Sequence, residues 1–404
     1  MNGAKERKRQ VSCPGKGRRR DLVKGRPDRP AHGIYRKTTF LRFMIAALLI
    51  MATCLTGCGT VPPSEQDDGR LRIVATIFPP YDFARAIAGD ETKADITMLL
   101  SPGEEVHSYE PTPMDIKRIQ NCDLFLYVGG ENDVWVERIL ENMGDKKPQT
   151  LRLVDLTDTV AEEVVEGMME ERGEHEHAHD AEHAEEAGHD HENDAEHAEE
   201  AEHYHEHISH THSGDSSAEE HEEADEHVWT SPVKAAEITE AIAAKMAEID
   251  PDNAESYKAN AASYMEEILK VDAAFREIVD NAERRTIVFG DRFPLRYFAE
   301  EYGLEYFAAF PGCSSESEPS ASTLAFLIDK VREERIPVVF SIELSNGNIA
   351  RAICESTGAV RRTFHSCHNV TKDEMESGAT YVSLMTENLG PVREVLGDKR
   401  AVVE

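Results

Sequence analysis

The chain has 404 residues, room for two domains of ordinary size or one large two-lobed unit. It carries 44 Lys+Arg against 78 Asp+Glu, and the excess is uneven: residues 1–57 hold 14 basic and 3 acidic residues, leaving a net charge of −45 from Cys58 onward. Phosphate would be repelled by that charge, which argues against nucleic acid as a partner, and 40% hydrophobic residues in periodic runs argue against a disordered chain.

Residues 1–42 are basic and loop-like, and an apolar run follows at 43–55 (FMIAALLIMATCL). Thirteen helical residues span roughly 20 Å, short of a bilayer core of about 30 Å, so this run reads as the core of a secretory signal. It ends in Leu55-Thr56-Gly57-Cys58, which resembles the bacterial lipobox, in which the peptidase cuts before a lipid-bearing cysteine. Residues 1–57 are therefore expected to be a signal peptide, Cys58 the lipid attachment point and 58–70 a polar tether, leaving the protein extracytoplasmic and anchored to the cell membrane. Cys122, Cys313, Cys354 and Cys367 remain in the mature part, where export permits a disulfide whose pairing the sequence leaves open.

Beyond the tether, 72–78 (RIVATIF) is strand-like and stopped by Pro79-Pro80, and 81–89 reads as a short helix. Strands follow at 95–100, 123–128 and 151–156, with helices at 134–143 and after Thr112-Pro113, an N-cap followed by proline at the first helical position. Residues 161–226 form a low-complexity insert. Helix resumes at Ser231-Pro232, again a cap followed by proline. From 253 to 280 there is no Gly or Pro, and Tyr257, Ala261, Tyr264, Ile268, Val271, Phe275 and Ile278 alternate spacings of four and three. That is one face of a single helix roughly 42 Å long. The second half repeats the pattern, with strands at 286–289, 306–310, 338–344 and 361–364 separated by helices. The expected fold is α/β: two lobes, each with a mostly parallel four-stranded sheet, joined by a long spine helix. The expected domains are 71–250 with the insert, the linking helix 251–282, and 283–404.

Ligands of open α/β sheets sit beyond the carboxyl ends of the strands. His107, in the loop after strand 95–100, is such a residue, as are Asp291 after strand 286–289 and His365 after strand 361–364. His227 closes the insert just before the Ser231 helix. Three imidazoles and a carboxylate suit tetrahedral Zn²⁺. Glu343 is a further candidate, as ligand or as support for one, and His368 beside Cys367 is either an alternative ligand or a surface residue. Asp291 reads equally well as a helix N-cap.

The segments ATIFPPYDFARAIAGD, SPGEEVHSYEPTPMDIKRI, CDLFLYVGGENDVWVE, DEHVWTSPVKA, EPSASTLAFLIDKVREERIPVVFSIELSN and ATYVSLMTENL together make the stretch 72–389 resemble the metal ABC-transporter solute-binding family, in its zinc-binding lipoprotein branch. The resemblance implies a protein that captures Zn²⁺ between two lobes and delivers it to a membrane ABC permease and its ATPase. It matches His107 to the first ligand and His227 to the second. Asp291 stands nearest the third position, usually His or Glu, and His365 at the fourth, often Asp. Manganese binding, metal storage or adhesion on the same fold are the alternative. A metallohydrolase is disfavoured, since GxSxG does not occur and the one HExxH match, at 175–179, falls inside the low-complexity insert.

Residues 171–227 concentrate 22 Asp+Glu, one Arg and 14 of the 18 histidines. Besides His227 these are His175, His177, His179, His183, His189, His191, His197, His203, His205, His207, His210, His212 and His221. Such a tract has no core to form and is expected to gather metal weakly at many tethered sites near the cleft.

Overall fold

Two sheets of four parallel strands organise the chain, which is described here by a computed structural model over residues 69–90, 92–144, 147–168, 224–314 and 318–397. The expected leader, Cys58, most of the tether and the thirteen histidines from His175 to His221 lie outside these residues. The first sheet holds β1 (Leu71–Ala75), β2 (Ala94–Met98), β3 (Leu124–Tyr127) and β4 (Gln149–Arg152), in the order β2-β1-β3-β4. The second holds β5 (Thr286–Phe293), β6 (Glu305–Pro311), β7 (Val338–Ile342) and β8 (Val360–Phe364), in the order β6-β5-β7-β8. In both, the strand that comes first in the chain lies inside the sheet and the crossovers are helical, as parallel pairing demands.

The helices are α1 (Phe78–Ala88), α2 (Pro113–Asn121), α3 (Val134–Glu141), α4 (Pro232–Ile249), α5 (Ala254–Asp280), α6 (Arg296–Tyr302), α7 (Ala321–Glu333), α8 (Asn348–Thr357), α9 (Lys372–Ser377) and α10 (Tyr381–Leu396). Period-two alternation divides the first sheet between two cores. Ile73, Ala75, Leu124 and Leu126 join the large core that continues into the second lobe. Val74, Phe125 and Tyr127 face the other way, onto Ile119 of α2 and Val136 and Leu140 of α3. A parallel sheet covered on both faces must be apolar on both, which is why these strands read as near-continuous hydrophobic runs. In the second lobe Phe289, Phe298, Phe340 and Phe364 fill the centre, all fully buried, each ring contributing roughly 2–3 kcal/mol by burial.

The spine is α5. Helices α1, α4 and α10 all pack on it. Asp82 of α1 fastens the joint: its Oδ2 accepts from the Tyr264 hydroxyl of α5 and from the Tyr381 backbone N–H that opens α10 (2.8 Å). Burial raises the Asp82 carboxyl, opposed by those same hydrogen bonds. Among the described residues the last helix is thereby tied to the first.

Three local expectations change. The first strand ends at Ala75, and Pro79-Pro80 do not stop it; they sit in the first turn of α1, where a missing N–H costs nothing. The expected strand 151–156 is β4 followed by a 3-10 turn, Leu153–Asp155. β5 runs past residue 289 to Phe293, with a register shift between Phe289 and Arg292, so Asp291 lies within the strand rather than after it. Cys122, Cys354 and Cys367 are free thiols. Among the described residues no helix is long and apolar enough to cross a membrane.

Candidate metal centre

Two loops of the first lobe and one of the second carry the histidines. His107 lies in the 3-10 turn Val106–Ser108 beyond β2. His227 caps the turn Val228–Thr230 that leads into α4, and the chain reaches it through the bridge Ala161–Ala224 at the root of the insert. His368 lies beyond β8, after Cys367, which takes a left-handed φ of 64°. That turn of the backbone puts the His368 ring 4.6 Å from the His227 ring and 6.0 Å from that of His107, centroid to centroid. Trp229, fully buried, walls the group at 5.5 Å from His227 and 4.8 Å from His368. Its indole N–H donates to the Ser366 carbonyl (2.9 Å), and its own carbonyl accepts from the Tyr381 hydroxyl (2.7 Å).

Each ring has its Nδ1 engaged. His107 Nδ1 faces Asn132 Oδ1 at 3.1 Å, His227 Nδ1 faces Asp225 Oδ1 at 2.9 Å, and His368 Nδ1 faces Ser366 Oγ at 3.4 Å. When Nδ1 donates, Nε2 keeps its lone pair, the tautomer a metal needs. His227 Nε2 is buried and has no hydrogen-bond partner. One nitrogen of His227, one of His368 and a carboxylate oxygen of Glu226 all lie within 4.8 Å of one another, and all three residues are buried. Glu226 is itself held by Asn132, through the side-chain amide and the backbone N–H (3.3 Å). Asn132 thus joins His107 to Glu226.

Space for this group depends on two glycines. A Cβ on Gly312 would stand 2.9 Å from His227 Cε1, and a Cβ on Gly130 would overlap the Glu226 side chain.

The charges around the rings differ. Burial lowers the His107 pKa to about 4, helped by Arg292 and His227. Burial, His227, His107 and Arg292 push His368 well down. Both are neutral near pH 7. For His227 burial also acts downward, but Asp225, by charge and hydrogen bond, and then Glu226 and Glu162 outweigh it and raise the value.

The other expected residues stand elsewhere. Asp291 lines a pocket with Glu105, Arg292 and Glu343; its Oδ2 accepts from Ile342 N–H (3.4 Å), and burial raises its carboxyl. His365 Nδ1 accepts from Cys367 N–H (3.0 Å), and its Nε2 lies 3.8 Å from Glu374. Neither belongs to the group formed by Glu226, His227 and His368. Glu343 supports the loop: its carboxylate accepts from Ser366 N–H (2.7 Å), Ser366 Oγ–H (2.6 Å) and His368 N–H (3.1 Å). The sequence reading missed Asn132, Asp225 and Glu226. The signal for the last two was their place immediately before His227, in DEH.

The family model described as "Zinc-uptake complex component A periplasmic" (ZnuA) matches residues 73–395. The zinc-binding lipoprotein AdcA of Streptococcus pneumoniae is 27% identical over 358 residues, 89% of this chain and 62% of that protein, so the chain spans less than two thirds of that relative. The high-affinity zinc uptake system protein ZnuA of Bacillus subtilis is 28% identical over 354 residues, 88% of this chain and 96% of that one. The crystal structure of the Zn(II)-bound ZnuA-like domain of S. pneumoniae AdcA superposes with a TM-score of 0.58 at 25% identity, over 81% of this chain and 99% of that domain. Matched over most of its length by this family model, the chain belongs to the ZnuA family of periplasmic zinc-uptake components.

Proposed function

We propose that this protein is an extracytoplasmic solute-binding protein that captures Zn²⁺ as cargo and delivers it to an ABC permease, with its ATPase, for import. The observation that carries the reading is the buried, unpartnered Nε2 of His227, grouped with His368 and Glu226 and flanked by the His107 ring. A buried polar atom without a partner is costly, and a cation that accepts its lone pair removes the cost. Imidazole-rich coordination favours Zn²⁺ over Mn²⁺, which suits oxygen-richer sites. His107 and His368 are held toward the neutral form a ligand needs, and Asp225 supports the charge that a bound cation places on His227. A set of protein ligands enclosing the ion suits transport rather than catalysis, which needs an open coordination position. Cys58 is the proposed lipid anchor, and histidines 175–221 the proposed auxiliary capture tract.

The test is competition between the full chain and a zinc chelator at less than one zinc per chain, where the tightest site fills first. His107→Ala and His227→Ala are expected to lose that site. Wild-type affinity in either variant would refute the reading.

A further inference from the structure

Arg292 follows Asp291 on β5 and reaches across to the first lobe. Its Nη1 lies 3.5 Å from Oε1 of Glu105, and that same oxygen lies 3.8 Å from Nε2 of His107, the nitrogen left free for metal. The guanidinium is held in place: its Nε donates to the Ser314 carbonyl, and only 16% of the side chain is exposed. Glu105 is 44% exposed, at the outer edge of the group. A fixed cation beside a place meant for a dication is unfavourable, and the more so away from bulk water.

We propose that Arg292 and Glu105 form an affinity-setting pair across the cleft: Arg292 opposes the bound cation and so permits its release, and Glu105, by neutralising Arg292, sets how strongly. The proposal rests on the metal centre proposed above. Glu105 acts here by its charge beside Arg292 and not as a ligand. A salt bridge that only holds the lobes together would behave differently, because losing either partner would then weaken binding alike.

The experiment compares the full chain with Glu105→Gln, Arg292→Gln and the double variant. Zinc affinity is read by chelator competition below one equivalent, release rate by stopped-flow transfer to the chelator, and folding by thermal melting. The pair predicts that Glu105→Gln weakens binding about tenfold and that Arg292→Gln tightens it about tenfold with slower release. The double variant should return to within about threefold of wild type. Arg292→Lys keeps the charge and should bind nearly as the wild type does, which serves if Arg292→Gln fails to fold. Weaker binding in Arg292→Gln, or in Arg292→Lys, overturns the proposal. So does a double variant as weak as Glu105→Gln, which would make Glu105 a ligand. His227→Ala run alongside separates the two levels: if it keeps the tight site, the metal centre itself is wrong, whatever the pair does.

Discussion

Asp225→Asn is an isosteric change that probes how the second histidine is held. Asp225 Oδ1 accepts from the His227 backbone N–H at 2.8 Å and faces its Nδ1 at 2.9 Å, and both residues are essentially inaccessible to water. The amide keeps an acceptor in place but removes the charge that steadies the imidazole with a proton or a metal on it. Groups that support a metal ligand in this way are worth about 10- to 100-fold in affinity, and retention of the acceptor places this change near tenfold, about 1.4 kcal/mol. The pH dependence follows from the raised value of His227. A proton competes with zinc for that nitrogen, so wild-type affinity climbs until the pH passes the folded-state value. In Asp225→Asn burial dominates, the value falls, and the climb ends at lower pH. The tenfold gap is therefore largest above the wild-type folded value and narrows toward acid. Stability changes in the opposite sense. A histidine raised by its partner contributes stability that is fully present below the ordinary histidine range and is lost as pH rises through the folded value. The variant should thus be most destabilised in acid and nearly equal to wild type in alkali. Chelator competition and thermal melting from pH 5.5 to 9 measure both. Equal affinity, with the same slope against pH, would refute the assignment of Asp225 as the support of His227.

Two further variants address the geometry. Gly312→Ala places a methyl group 2.9 Å from His227 Cε1 and 3.1 Å from the Phe293 carbonyl; it should weaken zinc binding about tenfold while moving the metal-free melting temperature little, as calorimetry beside melting would record. Glu343→Ala leaves three donors of the Ser366–His368 loop without their acceptor, at a cost of about 3 kcal/mol, so both melting temperature and zinc affinity should fall.

The sequence made the fold legible where one physical rule acted alone. The spine helix followed from 28 residues without Gly or Pro and an unbroken apolar face, and α5 occupies 27 of them. Ser231-Pro232 and Thr112-Pro113 marked helix starts correctly, because cap and proline satisfy the same orphan groups. Pro79-Pro80 misled because the same pair can end a strand or begin a helix, and only the packing of Phe78 and Phe83 into the core decides. For the candidate site, His107 and His227 stood in distinctive motifs. The placement of Asp291 depended on where β5 ends, which an irregularity in pairing with β6 controls and composition does not reveal. The choice between His365 and His368, three residues apart in HSCHN, turns on the positive φ of Cys367 and on the grip of Glu343, neither visible in the letters.

That choice gives the most direct test of the centre proposed here. Zinc affinity at less than one equivalent should be measured for the full chain, for His368→Ala and for His365→Ala. The geometry predicts that His368→Ala loses the tight site by more than about a hundredfold, beyond what a supporting group contributes, while His365→Ala stays within about tenfold of wild type. A tight site that survives in His368→Ala and vanishes in His365→Ala would contradict it.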